Sequence, residues 1–90
     1  MSYFGDDNTH GYPEPPPLSE FGPWMIHDGT QWDGTNRNIT NDNSCVAIAK
    51  HPDGSVWLAD TKLNLSDQSP IYFTEVEWRS FTAAVVEGRL

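Results

Sequence analysis

The chain has 90 residues and carries 13 acidic against 5 basic side chains, a net charge of −8 at pH 7 with histidine neutral. A chain of this length holds one small domain with a thin core, hiding roughly 60–65% of its unfolded surface. The charge disfavours direct contact with a phosphate backbone. A lone Cys45 excludes an internal disulfide, and no apolar run approaches the roughly 20 residues of a membrane span.

Most of the negative charge lies early. Residues 1–44 hold seven acids against Arg37, and residues 45–90 hold six against Lys50, Lys62, Arg79 and Arg89. The start of the chain lacks a basic patch followed by an apolar stretch, so a secretory signal is not expected. The single cysteine fits a reducing cytoplasm or plain burial as a small apolar residue, and a cytoplasmic chain is the expectation.

Residues 1–19 read as a disordered or loosely packed acidic arm. Its glycines and the cluster Pro13, Pro15, Pro16 and Pro17 oppose a regular helix or a central strand. Pro15 to Pro17 favours a short polyproline II rod, which is expected to act as a spacer. The single domain then spans residues 20–90. Glu20 to Ile26 is aromatic-rich and suits a short edge strand, with Pro23 holding it to the margin. His27 to Asn43 is dense in turn formers, with Asp28-Gly29 and Asp33-Gly34 as turn dipeptides. It lacks the ligand alternation of a calcium loop. The sequons at Asn38 and Asn64 are coincidental in a cytoplasmic chain.

Cys45 to Lys50 is an apolar strand, and Ser55 to Asp60 returns beside it. Between them His51-Pro52-Asp53-Gly54 has the chemistry of a bulged hairpin turn, with proline second and a left-handed glycine fourth. Alternation puts Val56 and Leu58 on one face and Trp57 and Ala59 on the other. Thr61 to Ser69 is a loop anchored by Leu63 and Leu65, and Pro70 to Phe73 is a further short strand. Thr74 and Glu77 then form a capping box, and Phe73 with Trp78 has hydrophobic-staple spacing. A helix follows over Glu75 to Glu87, supported by a Glu75–Arg79 pair and ended at Gly88. Its inward stripe is Trp78, Phe81, Ala84 and Val85, with Trp78 and Phe81 expected in the core. The fold class is α+β: an antiparallel meander of three to four strands packed by one C-terminal helix, with an irregular N-terminal arm. One helix cannot cover both faces of such a sheet, so aromatic surface must meet the arm or a partner.

The order Cys45-Val46-Ala47-Ile48-Ala49, Asp60-Thr61-Lys62, Ile71-Tyr72-Phe73, then Glu77-Trp78-Arg79-Ser80-Phe81 and Gly88 resembles the actinobacterial domain of unknown function 397, the family of BldB-like small regulators. Its pattern runs roughly W-x-x-S-S-x-S, C-V-E-V-A, R-D-S-K, L-x-F and E-W-x-x-F, and the similarity covers residues 32–90. The chain departs from it in three places. Thr35-Asn36-Arg37-Asn38 replaces the serine-rich run, and Ala47 and Ala59 stand where the family has glutamate and arginine. The resemblance implies a small regulator, or a toxin–antitoxin-like component, acting with a helix-turn-helix DNA-binding protein. It also implies self-association as a homodimer.

Four residues stand out as interaction candidates. Asp60, Thr61 and Lys62 follow a strand and form either an exposed polar site or a turn cap. Trp57, opposite Val56 and Leu58, is either a contact residue or covered by Phe21 or Trp24 of the arm. Cys45 has no partner base, and His10, His27 and His51 lack ligand spacing. No phosphate loop, Ser/His/Asp arrangement or positioned carboxylate pair occurs, so neither catalysis, a cofactor nor a metal is expected. A protein-interaction domain is therefore the leading expectation, with nucleic acid reached only through the partner. The alternative is a direct nucleic-acid binder using Lys50, Lys62, Arg79 and Arg89 with Trp57 as a stacking platform.

Overall fold

The structure, a computed structural model, describes residues 14–35 and 45–90; expectations placed on residues 1–13 and 36–44 lie outside them. Strands β1 (Trp24–Ile26), β2 (Gln31–Trp32), β3 (Val46–Lys50), β4 (Val56–Asp60) and β5 (Ile71–Phe73) form one antiparallel sheet, followed by helix α1 (Glu75–Val86). The α+β class with a C-terminal helix is what the periodicity predicted. The sheet has five strands, however, in the order β2-β1-β3-β4-β5, so only β3 to β5 run as a meander. β1 is correspondingly not an edge strand, since it pairs with both β2 and β3. Pro23 lies just before it, where a missing N–H costs the ladder nothing.

The strand missed in the sequence is β2, hidden in a turn-rich segment. Asp28-Gly29 turns the chain with Gly29 at φ 96°, and Ile26 N–H donates to the Thr30 carbonyl at 2.7 Å. This register sets Trp24 opposite Trp32, with the two rings edge-to-face at 5.9 Å. The β3–β4 turn forms as expected. Gly54 has φ 94°, its N–H donates to the His51 carbonyl at 2.8 Å, and His51 N–H donates to Ser55 at 3.0 Å.

Register divides the side chains between two faces. Face one carries Trp24, Ile26, Trp32, Ala47, Ala49, Trp57, Ala59 and Tyr72; face two carries Met25, Val46, Ile48, Lys50, Val56, Leu58, Ile71 and Phe73. The core lies on face one, where Ile26, Trp32, Ala47 and Ala59 are buried together and Trp24 and Leu65 pack against them. Leu65 thus anchors its loop as expected, whereas Leu63 does not and is 46% exposed.

Helix α1 begins as read. Thr74 accepts from Glu77 N–H, the Glu77 carboxylate accepts from Thr74 N–H, and Gly88 ends the helix at φ 79°. Its packing corrects the expected core. Phe73 meets Trp78 at 5.2 Å and Phe81 at 5.6 Å, but Trp78 is only half-buried and Phe81 is 39% exposed. Ala84 is the buried residue of the helix. The physical reason is the immediate β5–α1 junction. Thr74 alone separates strand from helix, so the staple holds the helix against Phe73, over an edge strand.

These positions rank the tryptophans by their contribution to stability. Trp32→Ala should cost about 3–5 kcal/mol, enough to unfold so small a domain. Trp78→Ala should cost less, about 2 kcal/mol, because its ring is incompletely removed from water. Urea midpoints of the two variants test this, and the reverse order would refute the placement of the core on face one.

Candidate functional site

Asp60, Thr61 and Lys62 form a closed turn. The Asp60 carboxylate accepts from Lys62 N–H at 2.8 Å and from Lys62 Nζ at 3.0 Å. These bonds hold its pKa below the usual carboxylate value, with the Lys62 backbone N–H the largest cause. Of the two readings of this segment, an exposed polar site or a turn cap, the turn is the one formed: Thr61 is fully buried at 0%, and its N–H donates to the Cys45 carbonyl at 3.0 Å. It extends the β3–β4 ladder by one rung. Gln68 completes the turn and was not singled out in the sequence. Its Oε1 accepts from Asp60 N–H at 2.9 Å, and its Nε2 donates to the carbonyls of Asp60 at 2.7 Å and Leu63 at 3.2 Å. A side-chain amide here does the work of a neighbouring strand's backbone, a role that nothing local in the sequence announces.

Three further acids are spent on similar turns. Asp28, Asp33 and Asp53 each stand before Gly-Thr or Gly-Ser, and each carboxylate accepts from the N–H two residues on, at 3.0, 2.9 and 2.8 Å. The same oxygens accept from Thr30, Thr35 and Ser55 hydroxyls at 2.7, 2.7 and 2.6 Å. The hydroxyl bonds are the leading cause of the lowered pKa values of Asp33 and Asp53. Of the four candidate phosphate-binding cations three are paired, Lys62 with Asp60 at 3.0 Å, Arg79 with Glu75 at 2.6 Å and Arg89 with Glu87 at 2.8 Å, while Lys50 is exposed at the end of β3.

Trp57 is half-buried, between Tyr72 at 5.2 Å and Phe21 at 6.5 Å. Of its two expected environments, cover by the arm is the one formed. Residues 14–23 run as a strap onto face one. Pro17 has polyproline II dihedrals (φ −57°, ψ 140°), a short 3₁₀ turn spans Leu18–Glu20, and Gly22 N–H donates to Lys50 at 2.8 Å. His51 is the clasp. Its Nε2 lies 3.0 Å from Glu20 Oε1, and its ring meets Phe21 edge-on at 5.0 Å. Nδ1 accepts from Asp53 N–H at 3.0 Å when neutral, and when protonated it faces Asp53 Oδ1 at 3.0 Å. The Glu20 hydrogen bond, chiefly, raises the His51 pKa.

Face two presents an apolar groove. Val56 is 1% exposed, but Met25 is 36% and Val46 44% exposed. Between Trp78 and the strands lies a groove of about 480 Å³ lined by Met25, Val46, Ile48 and Pro23, with Lys50 as its one formally charged residue and His27 beside it. It continues in character along α1, where Phe81 is 39% and Val85 48% exposed. The spacing of Val46 and Ile48 marked a strand face, but the offset of the helix that leaves them uncovered is a tertiary outcome.

No protein-family model, curated protein or solved structure matches this chain. Among the described residues no group of three or more His, Cys, Asp or Glu side chains is placed to hold a metal ion, and no helix is long and apolar enough to cross a membrane. Cys45 is half-buried at the start of β3.

Two measurements test this account. Gln68→Ala should cost about 1–3 kcal/mol by leaving backbone groups of the turn unmatched, whereas Lys62→Ala, which removes an exposed pair, should cost at most about 1 kcal/mol. Equal urea midpoints for the two variants would show that Gln68 does not close the turn. The second is a pH profile. Raised in the fold, the His51 pKa contributes stability that is complete below its ordinary value near 6.5 and fades as pH rises through the folded value. The lowered Asp33, Asp53 and Asp60 values contribute stability that is complete above about 4 and fades as pH falls. Thermal stability should therefore be greatest near pH 5–6, and His51→Asn should flatten the alkaline side alone. An unchanged alkaline decline in that variant would remove His51 from the explanation.

Proposed function

We propose that this chain is a protein-interaction module, not an enzyme, that acts in the cytoplasm beside a helix-turn-helix DNA-binding protein. Its role is transcriptional regulation or a toxin–antitoxin-like pairing in which the partner contacts DNA. The observation that carries this reading is the apolar groove between Trp78 and the strands, with Met25, Val46 and Ile48 along its wall. Apolar surface of this kind, beside the exposed Phe81 and Val85 of the helix, is the usual mark of a docking face. The helix-turn-helix partner follows from the resemblance in the Cys-Val, Asp-Thr-Lys and Glu-Trp-x-x-Phe segments. Charge adds to it: a chain of net charge −8 is drawn towards a basic DNA-binding protein and can mask its DNA-facing surface.

The groove's apolar wall also suits a second copy of the chain, and partner and self-association are separated by the same variant. Val46→Asp places a charge in the groove at a position already 44% exposed, so the fold should survive. Tagged protein in an actinobacterial lysate should retain a helix-turn-helix protein, and Val46→Asp should lose at least about nine-tenths of it, as expected for a charge placed in an apolar contact. Retention of no such protein, or equal retention by both forms, would overturn the reading. A wild-type dimer in sedimentation that Val46→Asp converts to monomer, with no partner retained, would assign the groove to self-association.

A further inference from the structure

The groove on face two is opposite in charge to the chain that carries it. The protein holds −8 overall, yet none of the described residues lining the groove is an acid, and Lys50 is its one formal charge. Of Lys50, Lys62, Arg79 and Arg89, Lys50 alone has no carboxylate in ion-pair contact among the described residues; the others pair with Asp60, Glu75 and Glu87. Its backbone is held from two sides. Gly22 N–H donates to the Lys50 carbonyl at 2.8 Å, and Lys50 lies in register with Val56, which is 1% exposed. The Lys50 side chain itself is exposed, at the last position of β3. An unpaired ammonium thus stands at one end of a trough whose walls include Met25, Val46, Ile48 and Trp78.

The backbone of the groove limits how a protein segment can bind there. β1 is hydrogen-bonded to both β2 and β3, and β3 to both β1 and β4. Neither strand offers a free edge, so an extended segment cannot join the sheet at this place. Trp78 is the one Phe, Trp or Tyr ring in the lining, whereas polyproline II segments are received by several aromatic rings together. Recognition by side chains alone remains. That is the mode in which an amphipathic helix lays an apolar stripe into a groove.

We propose that the face-two groove receives an amphipathic helix of the partner protein, and that Lys50 selects one with a carboxylate at the border of its apolar stripe. The inference rests on the reading of this groove as the docking face. Charge complementarity is the reason for this occupant. An apolar or basic segment laid over Lys50 would strip its ammonium of water without compensation. A carboxylate beside it replaces that hydration with a charge-assisted contact. The charge of the whole chain draws a basic protein in from a distance, and at contact Lys50 decides which of its helices fits.

The test uses capped, alanine-rich peptides of about 15 residues, long enough to populate a helix, with leucine at i, i+3 and i+7. Three versions carry glutamate, glutamine or lysine at i+4, on the border of the stripe. Each is titrated into the full chain labelled at its methionine methyl groups. Met1 and Met25 are the two methionines, and Met25→Leu identifies the Met25 signal. That signal should move at millimolar glutamate peptide, and the lysine peptide should bind about tenfold more weakly, because attraction becomes repulsion. Lys50→Glu, a change at an exposed position, should reverse this order. Lys50→Gln is the second variant should Lys50→Glu perturb the fold, and it should bind the two charged peptides alike. Equal binding of the three peptides to the wild type would overturn the proposal. So would an unchanged order in the folded Lys50 variant, or a Met25 signal that stays still throughout. These failures are distinct from failure of the docking face. A helix-turn-helix protein retained by the wild type and by Lys50→Glu, but lost with Val46→Asp, would keep the groove as the docking face and refute the role of Lys50.

Discussion

The packing of two tryptophans against two alanines holds this domain together. Ala47 and Ala59 are 0% and 2% exposed on face one. Their small side chains leave the depth into which Trp32, 3% exposed, is sunk, with Trp24 edge-on to it. Dense packing requires large groups to face small ones. Enlarging either alanine would displace an indole, and with it the β1–β2 hairpin.

The same constraint bears on Ala47 and Ala59, which are direct cross-strand partners and both buried with Ile26 and Trp32. A charged pair at these two positions would have to be desolvated.

With its core on one side, the domain leaves its two faces in different states. Face one is closed by the hairpin, by Leu65 and by the segment that lays Phe21 beside Trp57. On face two α1 packs where Phe73 meets Trp78 and Phe81, and the apolar wall of Met25, Val46 and Ile48 stays accessible. Four of the 13 acids, Asp28, Asp33, Asp53 and Asp60, sit in turns where they organise backbone N–H groups, which gives that part of the charge a structural origin besides any part in recognition.

Local chemistry was legible in the sequence by itself. The capping box at Thr74 and Glu77, the His51-Pro52-Asp53-Gly54 turn, the alternation of β3 and β4 and the Glu75–Arg79 pair depend on neighbours a few residues apart, and each formed as read. The β1–β2 hairpin left a fainter trace, since Trp24 and Trp32 are equidistant from Asp28 and flank an Asp-Gly turn; two residues of β2 are too few to show alternation. Tertiary structure alone decided the rest. It put β1 between β2 and β3, brought Gln68 to the Asp60 backbone, buried Thr61, held the helix at β5 so that Phe81 stayed exposed, and laid Phe21 beside Trp57. These outcomes depend on contacts between segments distant in sequence. Periodicity tells which residues share a face of an element, but not which element will cover it.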